Sequence, residues 1–203
     1  AMSRRFQLLC VATLLFVAVA VRGDDDDEVL EIEKLSPLFQ AVKDDSQAAI
    51  KKALADGADI NEKQPGSGQT PLMYGCLRGK PSAVKYLLRK GADVTIPEKD
   101  GYTPMHGAGF QGRADVVKIL LEHGLDVNDK HSDGHTPITR ACWGEKPRHT
   151  ATVRVMLENG ATLSGYEPSF ARNPATKQLL LDWMAEHGVK EQKVDVEDPK
   201  EEL

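Results

Sequence analysis

Apolar residues in the middle of the chain recur at helical rather than strand spacing. Val116, Val117, Ile119, Leu120 and Leu121 keep one face apolar at that spacing and predict a helix over Ala114 to His123. Ahead of it, Thr103-Pro104 predicts the start of a shorter helix. The threonine stands where free N–H groups need an acceptor, and the proline gives up no needed donor. Gly107, Ala108 and Gly109 leave room on that helix for a neighbour to come close. Gly112 marks the loop between the two helices, and Gly124 ends the second in the left-handed cap position. Leu125-Asp126-Val127-Asn128 then leads to a turn.

The whole unit repeats. From Pro104 to Gly124 is 20 residues, and the same spacing separates Pro37 from Gly57, Pro71 from Gly91 and Pro168 from Gly188. Pro137 to Gly160 is 23, one copy with three extra residues. Thr70, Thr103 and Thr136, each followed by proline, are spaced by 33 and 33. Self-similarity at this period predicts an array in which each unit buries its apolar face only against its neighbours. Five copies are expected at residues 36–63, 64–97, 98–130, 131–163 and 164–188.

The motifs resemble the ankyrin-repeat family. Gly68-Gln69-Thr70-Pro71-Leu72, Gly101-Tyr102-Thr103-Pro104-Met105-His106 and Gly134-His135-Thr136-Pro137-Ile138 match its opening signature. Gly57-Ala58-Asp59-Ile60-Asn61, Gly91-Ala92-Asp93-Val94 and Gly124-Leu125-Asp126-Val127-Asn128 match its closing one. The resemblance implies an all-α solenoid of stacked helix-turn-helix units with β-turn or hairpin loops, and a role in binding proteins rather than in catalysis.

Departures from the pattern are also informative. The first copy carries a polar face at Lys43, Asp44, Asp45 and Lys51, as an array's end needs for solubility. The fourth inserts Trp143 to His149 between its helices. In the fifth, Glu167 stands where threonine is expected, Pro174 falls in the loop, and the copy is expected to act as a degenerate cap. From Val189 onward the chain is charged, and residues 189–203 are expected to be disordered.

Both ends suggest addresses. Arg4 and Arg5 precede an apolar stretch from Leu8 to Val21, and Ala18-Val19-Ala20 has the small-x-small form of a cleavage site. This is the layout of a signal peptide over residues 1–20, shorter than the ~20 apolar residues of a membrane span. An acidic linker is expected over residues 21–35, with five acids from Asp24 to Glu28. Arg22-Gly23-Asp24 is read as a chance tripeptide beside the cut. At the other end, Lys200-Glu201-Glu202-Leu203 resembles the endoplasmic reticulum retrieval tetrapeptide, which a receptor reads. Together these predict a resident of the endoplasmic reticulum lumen with no membrane insertion after cleavage; a secreted protein is the alternative.

Charge narrows the partners. The net charge is −5, and removing residues 1–20 leaves 24 basic and 31 acidic side chains, a net of −7. No compact basic block offsets this, so nucleic acid is not an expected partner. Three cysteines are present. Cys10 lies in the leader. Cys76 and Cys142 sit six residues after Thr70 and Thr136, at equivalent positions two copies apart. Helices pack about 8–10 Å apart, which puts these thiols far beyond the roughly 7 Å Cα separation of a disulfide. Both are expected to be free and buried. His131 and His135 lack the further ligands of a closed metal site, and no metal or cofactor is expected. Cys142 with His149 is the one pair suggestive of a thiol-dependent enzyme or redox factor, and it is carried as the alternative to a non-catalytic binder.

For binding, the family resemblance implies turn tips and the inner face of the first helices. The tip residues are Gln69, Lys99, Asp100, Tyr102, Ser132, Asp133 and His135. On the inner face lie Leu77, Arg78, Phe110, Gln111 and Trp143. Leu77, Phe110 and Trp143 fall at the same place in three successive copies, an alignment that suits an interface anchor. A monomer that captures a protein partner is expected.

Overall fold

The computed structural model describes residues 35–192. The leader with Cys10, most of the acidic linker, and the retrieval-like tetrapeptide lie outside the described residues. Ten helices form five consecutive pairs: α1 Pro37–Lys43 with α2 Gln47–Ala55, α3 Pro71–Arg78 with α4 Pro81–Arg89, α5 Pro104–Phe110 with α6 Ala114–Glu122, α7 Pro137–Cys142 with α8 Pro147–Glu158, and α9 Glu167–Phe170 with α10 Pro174–His187. No strand occurs among the described residues. The turn tips close through paired backbone bonds: Gln64 N–H to Gln69 O (2.9 Å) with Gly68 N–H to Gln64 O (2.9 Å), Glu98 N–H to Tyr102 O (3.2 Å) with Gly101 N–H to Glu98 O (3.0 Å), and His131 N–H to His135 O (3.0 Å) with Gly134 N–H to His131 O (2.9 Å).

Each of the first four pairs contributes the same rows to one continuous core. Leu38, Leu72, Met105 and Ile138 come from the first helices, and Ala53, Leu87, Leu120 and Met156 from the second; all eight are buried. Fully burying an aliphatic side chain of this size is worth about 1.5–3 kcal/mol, so the rows rather than helix propensity hold these short helices. Asparagines in the closing signatures stitch successive copies. Asn61 Oδ1 accepts the Asp93 N–H (2.9 Å), and Asn128 accepts from Thr162 N–H (2.8 Å) while donating to Gly160 O (2.9 Å).

Several details depart from the expectation. Thr70 caps its helix by accepting the Met73 N–H, but Thr103 and Thr136 make no such cap. The Thr103 hydroxyl donates to Asp129 (3.0 Å) and lies 2.9 Å from His106 Nδ1. The insertion is partly absorbed into helix: Pro147 to His149 form the first turn of a lengthened α8. Pro174 is not in a loop but at the first position of α10, where Asn173 caps the N–H groups of Ala175 and Thr176. Glu167 is buried and accepts from Ser164 and Gly165, which ties the turn ahead of α9 to the helix start. The expected disorder does not begin at Val189, since Gln192 N–H donates to Gly165 O (2.8 Å).

Candidate functional site

Three first helices, α3, α5 and α7, and the turn tips ahead of α3 and α5 surround a groove of about 380 Å³. Six predicted residues line it: Gln69, Leu77, Asp100, Tyr102, Phe110 and Trp143. Their alignment is only partly exposed. Phe110 is 49% exposed, the larger of the two exposed large hydrophobics among the described residues, whereas Leu77 and Trp143 are half-buried. Thus Phe110 stands free over the groove while its counterparts form walls.

The floor is a residue that sequence reasoning passed over. Arg140 holds the slot that Tyr74 and Gly107 hold in the two preceding copies, and its side chain is 7% exposed. Its guanidinium lies 4.6 Å from the ring centre of Tyr102 and 4.2 Å from that of Trp143, so it is boxed between two π faces. It donates to the Tyr102 hydroxyl and to Asp133. Its Nε has no hydrogen-bond partner. A basic residue at a slot that holds an aromatic and a glycine in the two preceding copies was the available signal. Met73, Glu98, His106 and Gly107 complete the lining and were likewise not anticipated.

The two turn tips are tied by aromatic and polar contacts. Tyr102 stacks on His131 at 4.1 Å between ring centres, and His131 Nε2 donates to Asp100 O (3.0 Å). Asp133 opposes its own partial burial with three partners: the His135 N–H, His131 and Arg140 outweigh desolvation and hold its carboxyl well below the usual range. His135 packs edge-on against Trp143 and Phe170. The other predicted residues stand apart from the groove. Arg78 lies over Tyr74 (4.7 Å), Lys99 N–H donates to Ser67 O (3.0 Å), Gln111 O accepts from Arg148 (2.9 Å), and Ser132 is exposed beside His131.

Neither buried thiol is placed for chemistry. Desolvation pushes the Cys76 and Cys142 thiols up, and Glu167 adds to the effect at Cys142. His149 turns both ring nitrogens to backbone carbonyls, Lys146 O and Phe110 O, each at 3.2 Å, rather than to Cys142. Both cysteines are free. Native protein is therefore expected to react with a thiol reagent at less than about a hundredth of the unfolded rate, because the thiolate is the reactive form. Fast labelling of Cys142 with the fold intact would reopen the enzyme alternative. No group of three or more metal-ligating side chains occurs among the described residues.

Two buried histidines set a pH dependence. Burial depresses the pKa of both His106 and His149, against the raising influence of the carbonyls they face. The unfolded chain takes up protons near pH ~6.5, where the folded chain does not. It therefore binds more protons in the window just below that value, and stability falls as pH falls through it. Melting temperature is expected to be flat above pH ~7 and to drop between about pH 6.5 and 5. A rise over the same interval would show that these imidazoles are charged in the fold.

A family profile described as "Ankyrin repeats (3 copies)" matches residues 4–98, 38–131 and 96–165, which overlap to cover most of the chain. The first of these matches begins well ahead of Ser36. Among curated proteins, the chain is similar to "Ankyrin repeat and SAM domain-containing protein 6" of Rattus norvegicus, 36% identical over 67 residues. That stretch is 33% of this chain and 8% of the rat protein.

Proposed function

The chain belongs to the ankyrin-repeat family, and from that premise we propose that it is a non-catalytic adaptor that captures a protein partner in the groove between α3, α5 and α7. The family supports a protein-interaction module. The observation that carries the location is Phe110, an exposed aromatic side chain above a boxed arginine, in a groove whose walls are Leu77, Tyr102 and Trp143. An apolar anchor beside a buried planar cation is the composition of interface hot spots. The adaptor works as a monomer and presents this surface rigidly.

A photo-crosslinking residue at position 110 tests the location. It is expected to trap a discrete partner, whereas the same group at Lys85 or Lys118, exposed on α4 and α6, traps none. Phe110→Ala in turn is expected to weaken capture at least tenfold with an unchanged melting temperature, since an exposed side chain contributes little to the fold. Equal trapping at all three positions would move the interface elsewhere.

The proposal extends to the compartment on the strength of residues 1–20 and Lys200 to Leu203, read as leader and retrieval address for a lumenal receptor. Full-length chain is expected inside the cell, and a chain lacking Lys200 to Leu203 in the medium. Retention of both forms on the cytosolic side would remove the lumenal reading and leave the adaptor reading standing.

A further inference from the structure

A second cavity, of about 270 Å³, lies at the inter-helix turns and shares no lining residue with the groove. Arg113 and Arg148 line it together with Gly79 and the first turn of α6. Each arginine spends its Nε on a carbonyl of the preceding pair, Arg113 on Leu77 O (3.2 Å) and Arg148 on Gln111 O (2.9 Å). Neither takes part in an ion pair among the described residues. Neither guanidinium makes another hydrogen bond among the described residues, so the outer N–H groups of both forks are free to meet a ligand. Burial and the like charge of Arg148 also lower the pKa of Arg113, as two cations without an anion between them require.

The molecule contains its own example of what fills such a place. Asp45, Gly79 and Gly112 occupy the same turn position in successive copies, and all three have left-handed backbone, with φ of 53°, 65° and 66°. At the first junction the Asp45 carboxylate accepts the Ala83 N–H in the first turn of α4, at 2.7 Å. Val116, in the first turn of α6, stands 33 residues after Ala83 and is its counterpart. Here the facing turn residue is Gly79, which brings no carboxylate, and the N-cap residue Arg113 supplies no side-chain cap. Where a carboxylate sits at one junction, the next has a cavity with two arginines.

We propose that this cavity binds an oxyanion, a carboxylate or phosphoryl group, held by the forks of Arg113 and Arg148 and by the first-turn N–H groups of α6. Planar guanidinium forks suit two-oxygen groups, and the helix start adds a favourable dipole. Asp115 is the opposing charge on the same turn. It is exposed and pairs with neither arginine, so it weakens the site without filling it. The site is independent of the groove.

The test uses the full chain and two probes, inorganic phosphate and succinate, each titrated against chloride at matched ionic strength. A saturable rise in melting temperature is expected with at least one probe, by preferential binding to the fold. A response to phosphate alone assigns a phosphoryl ligand; a response to succinate as well assigns an acidic side chain or small carboxylate. The R113Q/R148Q pair is expected to weaken binding at least tenfold. Gly79→Asp offers a test that keeps both arginines in the sequence: it copies Asp45, which already holds this left-handed backbone at φ 53°, into the second turn, and its Cβ, 2.7 Å from Arg113 Cδ, pushes that side chain aside as its carboxylate takes the ligand's place. It is expected to abolish binding while keeping the fold, and Asp115→Asn is expected to tighten binding several-fold. No response beyond chloride, or a response that survives in Gly79→Asp, would overturn the proposal.

Discussion

Gly109→Ala is expected to destabilise the stack by about 2 kcal/mol, although alanine is the better helix former by about 1 kcal/mol. Gly109 is buried in α5, and a Cβ added there would lie 2.5 Å from Pro137 O and 3.1 Å from Met156 Cε. The carbonyl belongs to the first residue of α7, so it moves only if the whole helix moves. Separating α5 from α7 would loosen the junction that also forms one side of the groove. For a stack of this size the loss corresponds to a fall of roughly 4–8 °C in melting temperature. Gly107, two residues earlier, is the control. A Cβ there meets the flexible ends of Leu77 and Met73 at 3.1 Å, and both can give way. Gly107→Ala should melt within about 2 °C of the parent protein. If the two variants behave alike, the α5–α7 approach is not the constraint inferred here.

Arg140→Ala is expected to cost a further large increment, about 2 kcal/mol in chemical denaturation, and to weaken partner capture as well. The loss combines contact with two rings, hydrogen bonds from a charged donor, and the packing of a long aliphatic stem. Asp133 contributes less, because it is more than a third exposed and rehydrates when its partner leaves. The buried Nε without a partner is a cost that truncation removes, which is why the net falls below the sum of the contacts. Arg140→Lys keeps the charge without the planar fork and should recover less than half of the loss. Arg140→Met separates charge from bulk: equality with the parent protein would mean that the slot needs volume alone.

The fold was legible because its signal was repeated. One copy of a helix-opening proline, an apolar helical run and a glycine is ambiguous, but five copies at nearly constant spacing are not. The aligned positions of Leu77, Phe110 and Trp143 were readable from that register. What register did not convey was exposure, which separates Phe110 from the other two. Trp143 is half-buried because Arg140 and His135 reach it from one turn and one helix slot, and neither contact follows from spacing. Pro174 was misplaced for a related reason. A proline opens a helix or sits in a loop with equal ease, and it is the Asn173 side chain, accepting from the Ala175 and Thr176 N–H groups, that makes this one a helix start.

The sequence by itself determined the architecture and the equivalence of positions, since period, helix starts and glycine turns are local properties that each copy states again. It also determined that Cys76 and Cys142 lie two copies apart and form no bond with each other. Only the tertiary structure decided which of the equivalent positions makes a site. Tyr74, Gly107 and Arg140 are the same position, as are Asp45, Gly79 and Gly112. In each set the meaning comes from what the neighbouring copy presents: the Tyr102 ring against Arg140, and a helix start that is capped opposite Asp45 and uncapped opposite Gly79. Those are contacts between residues some 30 to 40 positions apart, where burial and hydrogen bonding follow from the stacking of whole helices and leave no trace in the local pattern.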